Sequence, residues 1–144
     1  SAECVGMHAA KQGTRLEALE PIRQGVRMAF GAFGHDVAQG LVLRHDHGRQ
    51  YMSHVAQEEL RFLGIISSPA FVREPEGNGC AERFIRTLKE NLLWLQTFDT
   101  VEALRLALHE LQCQYNETWL IGRHGYKTPA LVRHEQRCIL AEAA

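Results

Sequence analysis

The chain has 144 residues and a mass of 16.3 kDa, which suits a single domain with a sizeable core. Hydrophobic residues make up 45% and charged residues 23%, a balance that excludes disordered, collagen-like and low-complexity classes. The formal charge of −1 excludes nucleic-acid binding through bulk positive charge, whereas a local basic face is compatible with it.

The sequence predicts neither a membrane span nor a structural zinc module. No apolar run approaches the roughly 18 residues that a bilayer-crossing helix needs. The cysteines are widely scattered, and none stands at C-x-x-C spacing: Cys4, Cys80, Cys113 and Cys138. We therefore expect free thiols, a cytoplasmic location and no membrane partner.

The first third of the chain contains signals for a strand and a helix. Cys4–Ala9 is short and mostly apolar, which favours a strand. Thr14 stands three residues before Glu17, the spacing of a capping box at a helix start. Pro21 either kinks this helix or opens a second helical segment, and Gly31 is a stop signal.

The middle of the chain predicts strand, helix and strand in succession. Gly40–Asp46 is a short apolar run bounded by glycine, which indicates a buried strand. Ser53 can cap the next helix, and Gly64 ends it. The apolar residues of that helix are Ala56, Leu60 and Leu63. Ile65–Ile66 is a candidate third strand, which makes at most three strands.

The second half predicts a loop and two amphipathic helices. Ser67–Gly79 is rich in proline and glycine, and a connection of this length is usually functional or mobile. The helix after it has apolar residues at helical spacing: Ala81, Phe84, Ile85, Leu88 and Leu92. Asp99 and Glu102 mark another helix start, and Trp94 is expected to be buried at the helix end. Periodicity fades after Asn116, and the remaining tail is mildly basic. The order of elements indicates an α/β domain.

Two carboxylates are candidate site residues, and each also has a purely structural interpretation. Asp46 ends the strand Gly40–Asp46, where ligands gather in open α/β sheets, although such an aspartate often only caps a turn. Glu82 shares a helix face with Arg86 and Lys89, which is either a solvated stripe with a Glu82–Arg86 pair or the edge of a site whose cations hold phosphates. Carboxylates from distant elements suit hard divalent cations such as Mg²⁺ or Mn²⁺.

The aromatic and imidazole side chains near these elements also have two interpretations. His45 and His47 share a strand face that excludes Asp46, so we expect imidazoles near the site that are not ligands. Gln50 and Tyr51 are expected to pack or hydrogen-bond beneath it. Trp119 could stack on a base or pack against the protein.

Three motifs appear in order along the chain. Residues 46–51 read D-x-G-x-Q-Y, and residues 78–84 read N-x-x-x-E-x-F, followed by L-K-E at 88–90. The third motif reads Y-N at 115–116, R-H at 123–124 and T-P at 128–129. Thirty-five residues, positions 47 to 81, separate Asp46 from Glu82. In this arrangement the chain resembles the catalytic region of bacterial insertion-sequence transposases of the retroviral-integrase superfamily, from about Cys4 to Val132.

The resemblance implies a ribonuclease H-like fold and a triad of two aspartates and one glutamate that binds two divalent metals. It implies DNA transposition by metal-dependent phosphodiester cleavage and strand transfer, with transposon ends and target DNA as partners. By position, Asp46 matches the second aspartate and Glu82 the glutamate, which makes both catalytic and metal-binding. Arg86 and Lys89 match cations that contact the DNA ends. A homo-oligomer is implied for the intact transposase.

One departure from the family pattern bears on activity. The family's first aspartate lies upstream of the segment that Ser1–Gly6 matches, and neither Asp36 nor Asp99 has the right place in the order. The chain thus resembles the C-terminal portion of a catalytic core that lacks its first strands, with an incomplete Mg²⁺ or Mn²⁺ site. We expect a partial core over residues 1–116 and a basic tail over 117–144. The alternative is an inactive remnant that only binds DNA or intact transposase.

Overall fold

A computed structural model describes residues 1–70 and 79–142 of the chain. Within them, five helices and two strands follow in order: α1 (Arg15–Phe30), β1 (Val42–His45), α2 (His54–Phe62), β2 (Ile66–Pro69), α3 (Gly79–Leu88), α4 (Val101–Thr118) and α5 (Pro129–Glu142). Helix α3 continues as a π-helical turn over Lys89–Leu93. None of these helices is both long enough and apolar enough to cross a membrane.

Local capping signals define α1 and α2. The Thr14 hydroxyl accepts a hydrogen bond from the Glu17 amide at 3.3 Å, so the predicted helix start is confirmed. Pro21 lies inside a single continuous helix, and Gly31 ends that helix with a φ of 72°. The predicted Ser53 cap of α2 is also confirmed, because its hydroxyl accepts from the Ala56 amide.

The two strands pair in parallel, with Val42 opposite Ile66 and His45 opposite Pro69. The pair packs against α1 and α2 around a core of Val26, Ala38, Leu60, Leu63 and Ile65. The prediction of a buried strand was wrong for much of β1, since Val42 is 56% exposed. The reason is that each strand of the described sheet has one neighbour, which leaves an open edge and part of one face in solvent.

The predicted strand at Cys4–Ala9 does not form. The segment is extended between α1 and α4, and its backbone binds side chains instead of another strand. Asn116 does this twice: its Oδ1 accepts from the Cys4 amide and its Nδ2 donates to the Cys4 carbonyl, both at 2.8 Å. The Met7 amide donates to Gln24 Oε1 at 3.0 Å. These amide side chains satisfy backbone groups that would otherwise require a sheet partner.

A second core cluster joins the π-helical turn to α4. Its buried residues are Leu92, Leu108 and Leu111. Leu88 packs against it, whereas Ile85 on the preceding turn is 47% exposed, so only part of the predicted apolar face of α3 is covered. The expected burial of Trp94 was wrong: it directly follows the π-helical turn and is 69% exposed.

The chain beyond Asn116 is more ordered than its faded periodicity indicates. Helix α4 begins after Thr100, whose hydroxyl accepts from the Ala103 amide, rather than after Asp99. The last helix, α5, begins after Thr128, whose hydroxyl accepts from the Leu131 amide at 3.3 Å. Val132 on its inner side is buried. The division into a core to residue 116 and a basic tail from 117 stays a prediction.

Candidate active site

Asp46 directly follows β1 and is exposed. Its Oδ1 accepts a hydrogen bond from the Gly48 amide at 2.8 Å, which fixes the carboxylate in a tight turn at the strand end. A Cβ at position 48 would lie 2.7 Å from this same oxygen. A side chain at position 48 would therefore displace the Asp46 carboxylate from this position.

A buried histidine supports the backbone at Asp46. His45 is only 5% exposed, and its Nδ1 lies 2.6 Å from the Asp46 carbonyl oxygen. Because that oxygen can only accept, Nδ1 carries a hydrogen, and Nε2 lies 2.8 Å from the Ser67 hydroxyl oxygen. Gln57 Nε2 donates to Ser67 Oγ at 3.1 Å. Both ring nitrogens of His45 are thus occupied within the protein.

Tyr51 lies beside the same strand end. Its ring centroid is 5.3 Å from that of His45, and Gln57 Nε2 donates to its carbonyl at 2.8 Å. Burial raises the pKa of the Tyr51 hydroxyl, and the negative charge of Asp46 raises it further. Gln50 Nε2 donates to the Gly13 carbonyl at 3.3 Å, and its Oε1 lies near Gly48. Tyr51 is therefore a neutral neighbour of the carboxylate at ordinary pH.

Glu82 lies in the first turn of α3, where it is exposed. A carboxylate in a first helical turn interacts favourably with the helix dipole. The Glu82–Arg86 pair of one sequence interpretation is not what the structure contains. Arg86 Nε instead lies 2.8 Å from Glu90 Oε1, and this carboxylate raises the pKa of Arg86. Lys89, at the start of the π-helical turn, is exposed.

Asp46 and Glu82 lie on different elements of the chain. Asp46 follows β1, and the parallel partner β2 ends beside it, since the Ala70 amide donates to the His45 carbonyl at 2.8 Å. The chain then passes through 71–78, which contains most of the predicted Ser67–Gly79 loop and lies outside the described residues, before α3 begins. The predicted loop begins later than expected because Ser67–Pro69 completes β2.

The donor chemistry fits a hard divalent cation, since both candidate ligands are exposed carboxylates. Two carboxylates alone are too few to complete such a metal site. Across residues 1–70 and 79–142, no group of three His, Cys, Asp or Glu side chains is placed to hold a metal ion. A two-metal site would need at least one further oxygen ligand in addition to Asp46 and Glu82.

The chain is similar in sequence to an integrase core domain family and to bacterial transposases. Residues 64–129 match the family model described as "Integrase core domain". The chain is 28% identical over 107 residues to "Putative transposase InsD for insertion element IS2E" of Escherichia coli strain K12, covering 74% of this chain and 49% of the relative. The chain is also 28% identical over 107 residues to "Transposase InsD for insertion element IS2A/D/F/H/I/K" of Escherichia coli, and this match covers 36% of that relative.

A solved structure extends the comparison to the fold. The chain is similar to the crystal structure of the catalytic core domain of BIV integrase, with a TM-score of 0.64 and 25% identity. The match covers 92% of this chain and 78% of that one. The chain spans half or less of the length of the curated transposases it matches. The predicted ribonuclease H-like α/β fold is confirmed, and the similarity to the integrase core domain model extends over residues 64–129.

Proposed function

We propose that this chain contributes Asp46 and Glu82 to a metal-dependent site that cleaves and joins DNA phosphodiesters during transposition. The observation that carries the proposal is the Asp46 carboxylate at the carboxyl end of a parallel strand pair, fixed by Gly48 and supported from beneath by His45. That edge of a parallel sheet is where ligands gather. The similarity to transposases and to an integrase core supports DNA as the substrate.

The residues of this chain have distinct roles in the proposal. Asp46 and Glu82 are oxygen ligands for Mg²⁺ or Mn²⁺, and the Gly48 amide leaves the second oxygen of Asp46 available. A bound pair of ions would stabilise the attacking and leaving oxygens of the phosphodiester. Arg86 and Lys89 lie on the same helix as Glu82 and are proposed to bind DNA phosphates. Arg86 would exchange Glu90 for the phosphate, which is a small cost for an exposed pair.

The proposal is tested by nicking of supercoiled plasmid DNA in Mn²⁺. We expect the wild-type chain to nick slowly, and Glu82→Gln or Asp46→Asn to abolish what activity there is, because ligands of one site act as a unit. Glu110→Gln is the matched control, since Glu110 is an exposed helical glutamate of α4. Nicking that persists in Glu82→Gln, or that is lost equally in Glu110→Gln, would show that the assignment is wrong.

The alternative function is DNA or transposase binding without cleavage. It is favoured by the incomplete set of metal-ligating side chains in the described ranges. Wild-type protein that shifts DNA in a gel but never nicks it in Mn²⁺ would establish this alternative. Homo-oligomerisation of the intact transposase, recognition of transposon ends and a cytoplasmic location stay predictions.

A further inference from the structure

A groove of about 790 Å³ opens beside the first turns of α3, the helix that carries Glu82. Its walls are the extended N-terminal segment, the first turns of α3, and the chain that leaves α4. A groove of this size is in the range of small-ligand sites. Ala81 and Arg83, the neighbours of Glu82 on α3, both line the groove, whereas Glu82 itself does not.

Three aromatic side chains form a row along the groove. The ring centroids of Phe84 and Tyr115 are 5.0 Å apart and nearly perpendicular, and those of Tyr115 and Trp119 are 6.1 Å apart. The Tyr115 hydroxyl donates to the Ala2 carbonyl at 3.2 Å, which locks this buried ring into the back wall. Trp119 is only half-buried and is the last ring of the row. Trp119 therefore places a half-buried aromatic ring in the wall of the groove.

The charge of the groove is positive. Arg83 and Arg123 are exposed at its rim, and Arg123 Nη1 lies 3.1 Å from the Cys80 sulfur. Glu3 is the one carboxylate among the groove's described lining residues, and its side chain is only 6% exposed. It faces Arg133, whose Nε lies 2.9 Å from Glu3 Oε2, so its charge is already compensated. The groove therefore complements an anion.

We propose that this groove binds an unpaired nucleotide of the DNA, with the base on Trp119 and the phosphate between Arg83 and Arg123. The inference rests on the proposed function for its choice of DNA. An aromatic face beside two guanidinium groups is the chemistry that binds single-stranded nucleic acid without reading its sequence. Paired bases present only their edges to a protein, so this groove selects a strand whose bases are unstacked.

The cysteines provide a direct test. The chain is alkylated with N-ethylmaleimide with and without an oligothymidine, and the rate at each cysteine is followed by mass spectrometry. Cys80 lines the groove and is exposed, whereas Cys113 and Cys138 are exposed elsewhere and serve as internal controls. We expect bound oligothymidine to slow the alkylation of Cys80 at least several-fold and to leave the alkylation rates of Cys113 and Cys138 unchanged. The proposal would be overturned if Cys80 were alkylated at the same rate with and without oligothymidine. It would also be overturned if a blunt duplex protected Cys80 as well as oligothymidine does.

Substitutions at Trp119 and Arg123 distinguish the contribution of base stacking to oligothymidine affinity from that of charge. Oligothymidine affinity, measured by fluorescence anisotropy, should fall about tenfold in Trp119→Leu and much less in Trp119→Phe, which keeps a stacking face. Arg123→Gln should lower the slope of log affinity against log salt by about 0.7, as expected for one lost phosphate contact on a single strand. Arg61→Gln, an exposed arginine on α2 that does not line the groove, is the charge-matched control.

The two proposals fail in different ways. If Trp119→Leu binds oligothymidine as well as wild type, the groove proposal is wrong, while Glu82-dependent nicking would still support the active site. If Trp119→Leu lowers affinity and Glu82→Gln leaves nicking unchanged, the groove stands and the catalytic assignment is wrong. Thermal unfolding of each variant checks that the affinity change does not reflect a lost fold.

Discussion

The thiol of Cys4 is strongly affected by its surroundings. Burial raises its pKa from 9.0 to about 11, and the charge of Glu3 acts in the same direction. Below pH 9 the thiol is protonated in the folded and unfolded chain alike, so its contribution to stability is fully present. As the pH rises from 9 through about 11, the unfolded chain releases a proton that the folded chain keeps, and stability is lost.

We therefore expect the free energy of unfolding in urea to fall between pH 8.5 and 10.5, and to fall less steeply in Cys4→Ser. Tyr51 and Tyr115, whose pKa values are also raised by burial, contribute to the remaining slope. Cys113→Ser is the control, because Cys113 is exposed on α4. If the free energy of unfolding fell equally steeply with pH in Cys4→Ser and Cys113→Ser, the pH dependence could not be assigned to Cys4.

At the scale of elements, the extended N-terminal segment depends on close contact with α1. A Cβ added at Gly6 would lie 2.2 Å from the Pro21 carbonyl oxygen and 3.0 Å from its carbonyl carbon, both of which belong to rigid helix backbone. Gly6→Ala must therefore push the segment away from α1. We expect a loss of about 1–3 kcal/mol in urea unfolding, typical of an overpacked contact.

Gly13 provides the matched control for this substitution. A Cβ at Gly13 meets no atom within 4 Å, and its backbone has no positive φ. Gly13→Ala should leave stability within about 0.5 kcal/mol of wild type. Equal stabilities of the Gly6 and Gly13 variants would mean that the segment does not pack against α1 as described.

Elements with local signals could be predicted from sequence, and those with distant partners could not. The capping residues Thr14 and Ser53 bind amides three residues away, so their helices were found. The backbone of Cys4 is bound by Asn116, a partner that no local pattern reveals, and the local sequence alone predicts a strand there. Helix α5 was missed although Thr128–Pro129 is a cap followed by proline at the first helical position, a signal that was available.

At the scale of the whole molecule, the last helix is tied to the first residues. Arg133 of α5 pairs with Glu3, whose carboxylate is almost completely buried. Arg133→Met removes the cation and leaves that charge without its partner, which we expect to cost roughly 2–3 kcal/mol. Lys127→Met breaks an exposed pair with Glu135 and should cost less than about 1 kcal/mol. Chemical denaturation of the two variants makes the comparison, and similar costs would argue against a buried pair.

The candidate site shows the same division between local and distant information. The spacing of Asp46 and Glu82 and the glycine at position 48 are visible in the sequence, so both carboxylates could be named. The His45–Ser67–Gln57 hydrogen bonds and the groove at Trp119 join residues far apart in the chain. These contacts form through tertiary packing, which the pattern of neighbouring residues in the sequence does not reveal.

The central claim is that Asp46 and Glu82 hold the same metal. It is tested most directly by adding Mn²⁺ to the ¹⁵N-labelled chain and following paramagnetic broadening of the amide signals of Gly48 and Arg83, which adjoin the two carboxylates. We predict that both signals broaden over the same Mn²⁺ range, and that Glu82→Gln removes the effect at both while Glu110→Gln does not. Broadening of Gly48 that persists unchanged in Glu82→Gln would contradict a shared site.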